Sequence, residues 1–446
     1  MPQTDNYAEQ LAALLERAGR GEWAGLPRLK GWRFDVSEGR SVSLSIVDNK
    51  LGSVYGPPTA RDSLGGGLYL VWDDEKRSNA SVDRLTIPDF EMRLREWRES
   101  AYSDDRAPDI RQPDPSYPEV EMYDAGIEPL VQGETELLFK ILQAGEKELR
   151  GSGEIEFLDA GASASSSQRF LRNSRGLDIS YPSSMFNYSF YADSLYGNGY
   201  SKRRLAPEEE LDRILKDVRQ VTAQLKRVGT FQSDPAGSRV ILDTGLAGSF
   251  IGQYIGGNLS GSGVFNRQSA YTLDDFKENK QVIREDISLV VDGTRPFEGS
   301  SSRVTGEGIP GGRAPLVERG KLIAPALDLK YAGITGFPPT VGGGLYIEIA
   351  DEGHRQSLQE MVENVDNGLL IYTVLGMHTQ DSTSGRFSLS APRCLIIRGG
   401  QLQGQVKTTI SGNFFDNIND PRSRFGWDPH EDNPAMEMTC QVVVEG

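Results

Sequence analysis

Cysteine and histidine are scarce in this chain. Cys394 and Cys440 are its only 2 cysteines, too few for a disulfide framework or a four-thiolate zinc site, and a reduced, buried pair is the simpler expectation. The 3 histidines, His354, His378 and His430, are far apart. None opens the His-Glu-x-x-His pattern with which a helix turns two imidazoles and a carboxylate toward one zinc ion, and His430-Glu431 stands isolated in a Pro-rich loop. Positive charge is also short. The 48 Lys and Arg face 64 Asp and Glu, a net charge of −16, which disfavours binding to nucleic acid or an anionic membrane. No apolar run approaches the ~20 residues of a spanning helix. The N-terminal MPQTDNYAEQLAALLERAG has neither a basic start nor an apolar core, so it reads as an amphipathic helix rather than a secretory leader, and a cytoplasmic chain is expected.

Glycine is plentiful, with 50 residues spread through 446 without a repeating triplet, which implies many turns and hairpins and much β-structure. In residues 1–105 the alternating VSLSIV, the turn Asp48-Asn49-Lys50 and the apolar GGGLYLVW suggest strands, and Phe90, Leu94 and Trp97 lie at helical spacing; this is an N-terminal α/β domain. Residues 106–229 begin in a linker, rich in Pro and Asp over Ser103–Glu119, that can continue neither a helix nor a central strand. A middle α+β domain follows. It holds the helix candidate GETELLFKILQAGEKEL, strands joined by Gly, Asn and Pro turns, and LAPEEELDRILKDVRQVTAQLKRV. That last segment has Pro207 near its start, acid in its first turn, base in its last, and an apolar stripe of Leu211, Ile214, Leu215, Val218, Val221 and Leu225. Residues 230–446 form a β-rich domain of hairpins, one with Gly399-Gly400 at its turn, closed by MEMTCQVVVEG. The fold class is α+β.

Four tests for chemistry fail. The serine of Gly248-Ser249-Phe250 lacks the glycine two positions before it that a nucleophile elbow requires, and Val341-Gly342-Gly343-Gly344 lacks the Lys-Ser/Thr of a phosphate loop. The cysteines have no neighbouring base, and the histidines are scattered. The loop Met377–Ser388 gathers His378, Thr379, Asp381, Arg386 and Ser388 between two strands. It is either a polar connection or the wall of a peptide groove whose hydroxyls and amides pair with an extended backbone. The stretch SFIGQYIGGNLSG follows the apolar run RVILD and the glycine-spaced turn TGLAG, where a strand hands over to a helix, yet carries only Gln, Asn and Ser as polar groups.

In their order along the chain, SLSIVDNKLGSV, SRVILDTGLAGSFIGQYIGGNLSG, EGIPGGRAPLVERGKLIAPALDLKYAG and GLLIYTVLGMHTQDSTSGRFSLSAPRCLIIRGGQLQGQVKTTISGN resemble segments of the TldD/PmbA family, once named modulators of DNA gyrase and better viewed as metallopeptidases. The resemblance is strongest after Thr230. In the family's peptidase-competent TldD branch a helix bears His-Glu-x-x-x-His and a cysteine near the C-terminus completes the metal site. On this chain those helix positions fall on Gly252, Gln253 and Gly257, which supply neither ligand nor base. The C-terminal ligand position falls between Asp420 and Pro434, where there is no cysteine, and Cys440 comes later in the closing strand. The resemblance therefore implies the PmbA/TldE-like branch lacking the metal motif: no catalytic or metal-binding residue, no cofactor held by this chain, and zinc in an active TldD-like partner. The expected role is a non-catalytic subunit, in a heterodimer or larger assembly, that handles unfolded or precursor peptides; a homodimer is also open. The alternatives are a self-sufficient peptidase using His378, Asp381 and Arg386, and a peptide-binding scaffold. The glycines of the disarmed helix imply either close backbone packing or a passage kept open.

Overall fold

A computed structural model describes residues 4–47, 50–51, 59–151, 153–350, 356–428 and 430–445; the turn expected at Asp48-Asn49 and the histidine His354 lie outside them. The chain divides into two compact units: Met1–Arg219 with Gly293–Gly312 and Val341–Gly343, and Gln220–Asp292 with Arg313–Thr340 and Gly344–Gly446.

The first unit is built on an antiparallel sheet of β1 (Leu29–Val47), β2 (Lys50–Leu51), β3 (Thr59–Trp72), β4 (Lys76–Val82), β5 (Tyr102–Ser103), β6 (Leu158–Asn173), β7 (Asp178–Ala192) and β8 (Tyr196–Lys202). Its order is β5-β4-β3-β1-β6-β7-β8, with β2 paired to β1. Strand β1 pairs with β6 from Arg33↔Asn173 to Ile46↔Ala160, so residues 1–105 and 106–229, expected as two domains, share one sheet. Alternation sends the even positions of β1 to the helical face. Phe34 and Val36 pack under helices Thr4–Arg20 and Phe90–Glu99. Val42, Leu44 and Ile46 join Leu138, Leu142, Ile214 and Val218 of helices Glu136–Gly145 and Glu208–Leu225 in a second core. The stripe expected on the latter helix is buried at Ile214, Leu215, Val218, Val221 and Leu225, while Leu211 is partly buried. The helix ends at Leu225 without a basic last turn, Lys226 and Arg227 falling beyond it.

Part of the other face is covered by the Pro- and Asp-rich segment, which is therefore a strap rather than a free linker. Ile110 is buried beside Tyr69 and Val71, Tyr69 Oη donates to the Pro108 carbonyl (2.8 Å) and Asn173 Nδ2 to that of Arg111 (2.9 Å). Its unpaired carbonyls are thus satisfied by side chains of the sheet. Residues 293–312 form a tightly packed excursion held by glycines: a Cβ at Gly311 would lie 1.7 Å from the Ser302 carbonyl oxygen and one at Gly293 would lie 2.2 Å from that of Gly342. The Val341–Gly344 cluster thus serves close backbone approach, with Gly342 N–H bonded to the Pro310 carbonyl at 3.1 Å.

The second unit contains β9 (Ser238–Leu242), β10 (Ile287–Asp292), β11 (Arg313–Glu318), β12 (Lys321–Leu322), β13 (Gly344–Ile349), β14 (Asn367–Ile371), β15 (Arg386–Arg398), β16 (Gln401–Asn413), β17 (Arg424–Gly426) and β18 (Ala435–Val444). One sheet runs β12-β11-β10-β13, the other β16-β15-β14-β9-β18-β17. Strand β18 divides its pairing: Met436–Cys440 lie against β9 and Gln441–Val444 against β16. The second sheet thereby closes into a small barrel filled by Val240, Leu242, Leu369, Ile371, Leu395, Ile410 and Met438. The hairpin expected at Gly399-Gly400 joins β15 to β16 through Arg398↔Gln401, and both glycines have positive φ, 56° and 72°, as a two-residue primed turn demands.

Candidate functional site

At the end of β9 the Asp243 carboxylate accepts the Leu246 N–H at 2.8 Å and starts the helix Thr244–Ile251. The segment TGLAG, expected as a turn, is therefore the first turn of that helix. Gly248 allows Asn433 to approach, since a Cβ there would lie 2.7 Å from the Asn433 side-chain nitrogen. From Gly252 to Gly256 the helix widens into a π turn, and the Gly257 N–H reaches the Gly252 carbonyl. This widening matters for the spacing of five. In a regular α-helix positions 252 and 257 would sit about 140° apart around the axis, whereas an i→i+5 bond stacks one over the other.

The outward face of this turn is bare. Gly252 and Gly257 are exposed and Gln253 is half-buried. A Cβ on Gly252 would meet nothing within 4 Å and one on Gly257 only the Gly252 carbonyl oxygen at 3.7 Å, whereas at Gly256 it would press on Leu345 at 2.9 Å. Close packing thus accounts for Gly256 but not for Gly252 or Gly257. Zinc needs imidazole, thiolate or carboxylate donors; these residues carry none, so the site does not fit the metal. No group of three or more His, Cys, Asp or Glu able to hold a metal ion occurs among the described residues.

The inward face is aromatic. Phe250 meets Phe387 edge-on with centroids 5.4 Å apart and Tyr254 lies 5.5 Å from Phe414. The Tyr254 hydroxyl is buried without a hydrogen-bond partner, and burial pushes its pKa up to about 12. Asn258, 1% exposed, joins this helix to the polar loop. Its Nδ2 donates to the carbonyls of Tyr254 (2.7 Å) and Ser382 (2.9 Å), and its Oδ1 accepts the Ala270 N–H (2.7 Å). Asn413 Nδ2 donates to the Ser384 carbonyl at 3.1 Å.

The structure thus brings the disarmed helix and the Met377–Ser388 loop together through backbone clamps. His378 and Thr379 are exposed on a single 3-10 turn. Asp381 accepts Thr383 Oγ1 (2.7 Å) and Thr383 N–H (2.9 Å), bonds that hold its carboxyl below the usual carboxylate range. Arg386 and Ser388 occupy the exposed alternate positions of β15, with Phe387 and Leu389 turned inward. Asn258, Asn413 and Gln380 escaped the sequence reading. Asn258 alone left a signal, a polar residue on the otherwise apolar side of its helix.

Cys440 pairs with Ser238 on β9, four positions along from Met436↔Leu242, where the helix begins; that is about 13 Å along the strand. Burial pushes its thiol up to about 12, and does the same to Cys394, so neither presents a thiolate. His430 is exposed, its N–H bonded to Asp428 Oδ1 at 2.9 Å. In the first unit, a trough of about 460 Å³ crosses the sheet, lined by Ser43, Ser45, Ser163, Asn187, Ser189 and Ser201 among others, with no carboxylate, imidazole or thiol.

Residues 236–423 match the PmbA/TldA metallopeptidase C-terminal domain. The fold resembles that of TldE from Thermococcus kodakarensis, with a TM-score of 0.79 and 16% identity over 98% of this chain and 100% of that one. It also resembles a candidate modulator of DNA gyrase from Bacteroides thetaiotaomicron, with a TM-score of 0.78 and 15% identity over the full length of both. A metalloprotease TldD homolog from Buchnera aphidicola (Schizaphis graminum) is 23% identical over 239 residues, covering 50% of this chain and 45% of the relative. A second, from the Acyrthosiphon pisum strain, is 26% identical over 184 residues, 38% and 36% of the two. The chain spans less than half the length of these curated relatives. The likeness to the TldD/PmbA family is thereby shown, in sequence through the C-terminal domain and in fold along nearly the whole chain. No helix among the described residues is long and apolar enough to cross a membrane.

Proposed function

We propose that this chain is a non-catalytic, PmbA/TldE-like subunit of a TldD/TldE-type metallopeptidase that processes unfolded or precursor peptides. The observation that carries the reading is the π turn. Gly252 and Gly257 are stacked with open space above them, and Gln253 stands where a general base would, so the frame of a His-Glu-x-x-x-His site persists without a donor. A glutamine amide is neutral and takes no proton from a water molecule. Zinc and the base belong to a TldD-like partner, while this chain completes the substrate chamber and holds peptide in extended form. A self-sufficient peptidase at His378 and Asp381 is less well supported, because the Asp381 carboxylate is engaged by Thr383.

The test is co-expression with a TldD-like chain bearing His-Glu-x-x-x-His, followed by metal analysis and cleavage of unfolded protein by each chain alone and by the pair. Zinc and activity are expected in the pair and none in this chain alone. Chelator-sensitive hydrolysis by this chain alone would falsify the proposal.

A further inference from the structure

Strand β15 has a neighbour on one side only near its start. Arg386, Ser388 and Ser390 oppose Asn413, Ser411 and Thr409 of β16, but on the other side β14 reaches only as far as Ile371↔Cys394. The Ser388 N–H points away from β16, to Gln380 Oε1 at 3.0 Å. Ser388 is therefore in a pair that exchanges no hydrogen bonds with β16, and its carbonyl also faces outward. Two positions on, the Ser390 carbonyl accepts the Leu375 N–H at 2.8 Å. The Gln380 amide also donates Nε2–H to the Gly376 carbonyl at 3.2 Å. A primary amide that accepts from a strand N–H and donates to a neighbouring carbonyl does what a peptide group does in a ladder.

We propose that the β15 edge from Arg386 to Ser390 is a docking strand for an extended polypeptide backbone, and that the Gly376–Gln380 strap holds it shut with the Gln380 amide as a stand-in for the incoming peptide bond. This rests on the peptide-holding role proposed above. The strap is built to move. It begins at Gly376, in the left-handed region at φ 88°, its turn is closed by local bonds, Thr379 N–H to Gly376 O and Gln380 N–H to Met377 O, and Leu375 beside it is 60% exposed. The residues that follow are fixed, with the Ser382, Ser384 and Gly385 carbonyls bonded to Asn258, Asn413 and the Phe414 N–H. A backbone entering in place of the Gln380 amide pairs with Ser388 and meets side chains only at the exposed positions 386, 388 and 390, so it is selected for being extended more than for its sequence.

The test uses the full chain and fluorescein-labelled β-casein as the unfolded polypeptide. Gln380→Ala removes the competing amide, and its Kd for casein is expected to fall about fivefold, with residues 386–390 gaining hydrogen-exchange protection on binding in both proteins. Casein binding with unchanged Kd in the variant and no protection at 386–390 overturns the docking strand while leaving the companion role standing. Absence of casein binding by either protein overturns both. Protection at 386–390 that rises with protein concentration in the absence of casein assigns the edge to a second copy of the chain and also overturns the proposal.

Discussion

Two groups of glycines occupy this molecule for opposite reasons. At Gly293, Gly311 and Gly342 the backbones meet so closely that no side chain fits, with a Cβ at Gly311 falling 1.7 Å from a carbonyl oxygen. At Gly252 and Gly257 there is room to spare, 3.7 Å or more to any neighbour, in a helix where glycine costs about 1 kcal/mol relative to alanine. The first group is required by packing and the second is not. An uncrowded, unfavourable residue asks for an explanation outside folding, and the stacking of 252 over 257 supplies one: these are ligand positions from which the ligands are gone.

Substitution can break this contrast. The largest effect is expected at Gly311→Ala, which should lose roughly 3 kcal/mol as read by urea denaturation; a loss under 0.5 kcal/mol would show that the excursion relaxes and that its glycines are not packing residues. Next comes restoration of the motif. Gly252→His, Gln253→Glu and Gly257→His together should give a chain that binds zinc and is stabilised by about 2.7 kcal/mol at a zinc concentration 100 times Kd, with no such response in the parent. Failure of the triple variant to bind zinc would mean that the π turn does not hold the geometry claimed for it. The smallest effect is expected from Gly252→Ala, a gain of about 0.5–1 kcal/mol; a loss there would reveal a neighbour the open face does not show.

The sequence made some of this legible because local rules were strong. The apolar stripe from Ile214 to Leu225 shows a 3.6-residue period, and Gly399-Gly400 between two apolar runs has the form of a primed turn. Strands β6 and β7 were fragmented because their outward positions carry Ser, Gly and Asn, and because Pro182 looks like a break. Yet Pro182 lies before Phe186↔Lys202, where β8 begins to pair, so its missing donor costs no bond on that side. The shared sheet of residues 1–105 and 106–229 was hidden because its central pairing joins distant segments, and the Pro-rich strap between them resembled a boundary. At the site, the identities of Gly252, Gln253 and Gly257 were plain from the resemblance. The π turn was not, since widening by one residue leaves no mark in periodicity, and the Gln380 contact depends on tertiary approach to β15.

The division of β18 between β9 and β16 bears on the order in which a ribosome can deliver this molecule. Strand β9 emerges early in the second unit, but both of its partners, β14 and β18, are translated much later. Until they emerge, the nascent chain presents Val240, Ile241 and Leu242 on an unfinished apolar ribbon, a target for chaperones and for misassociation during synthesis.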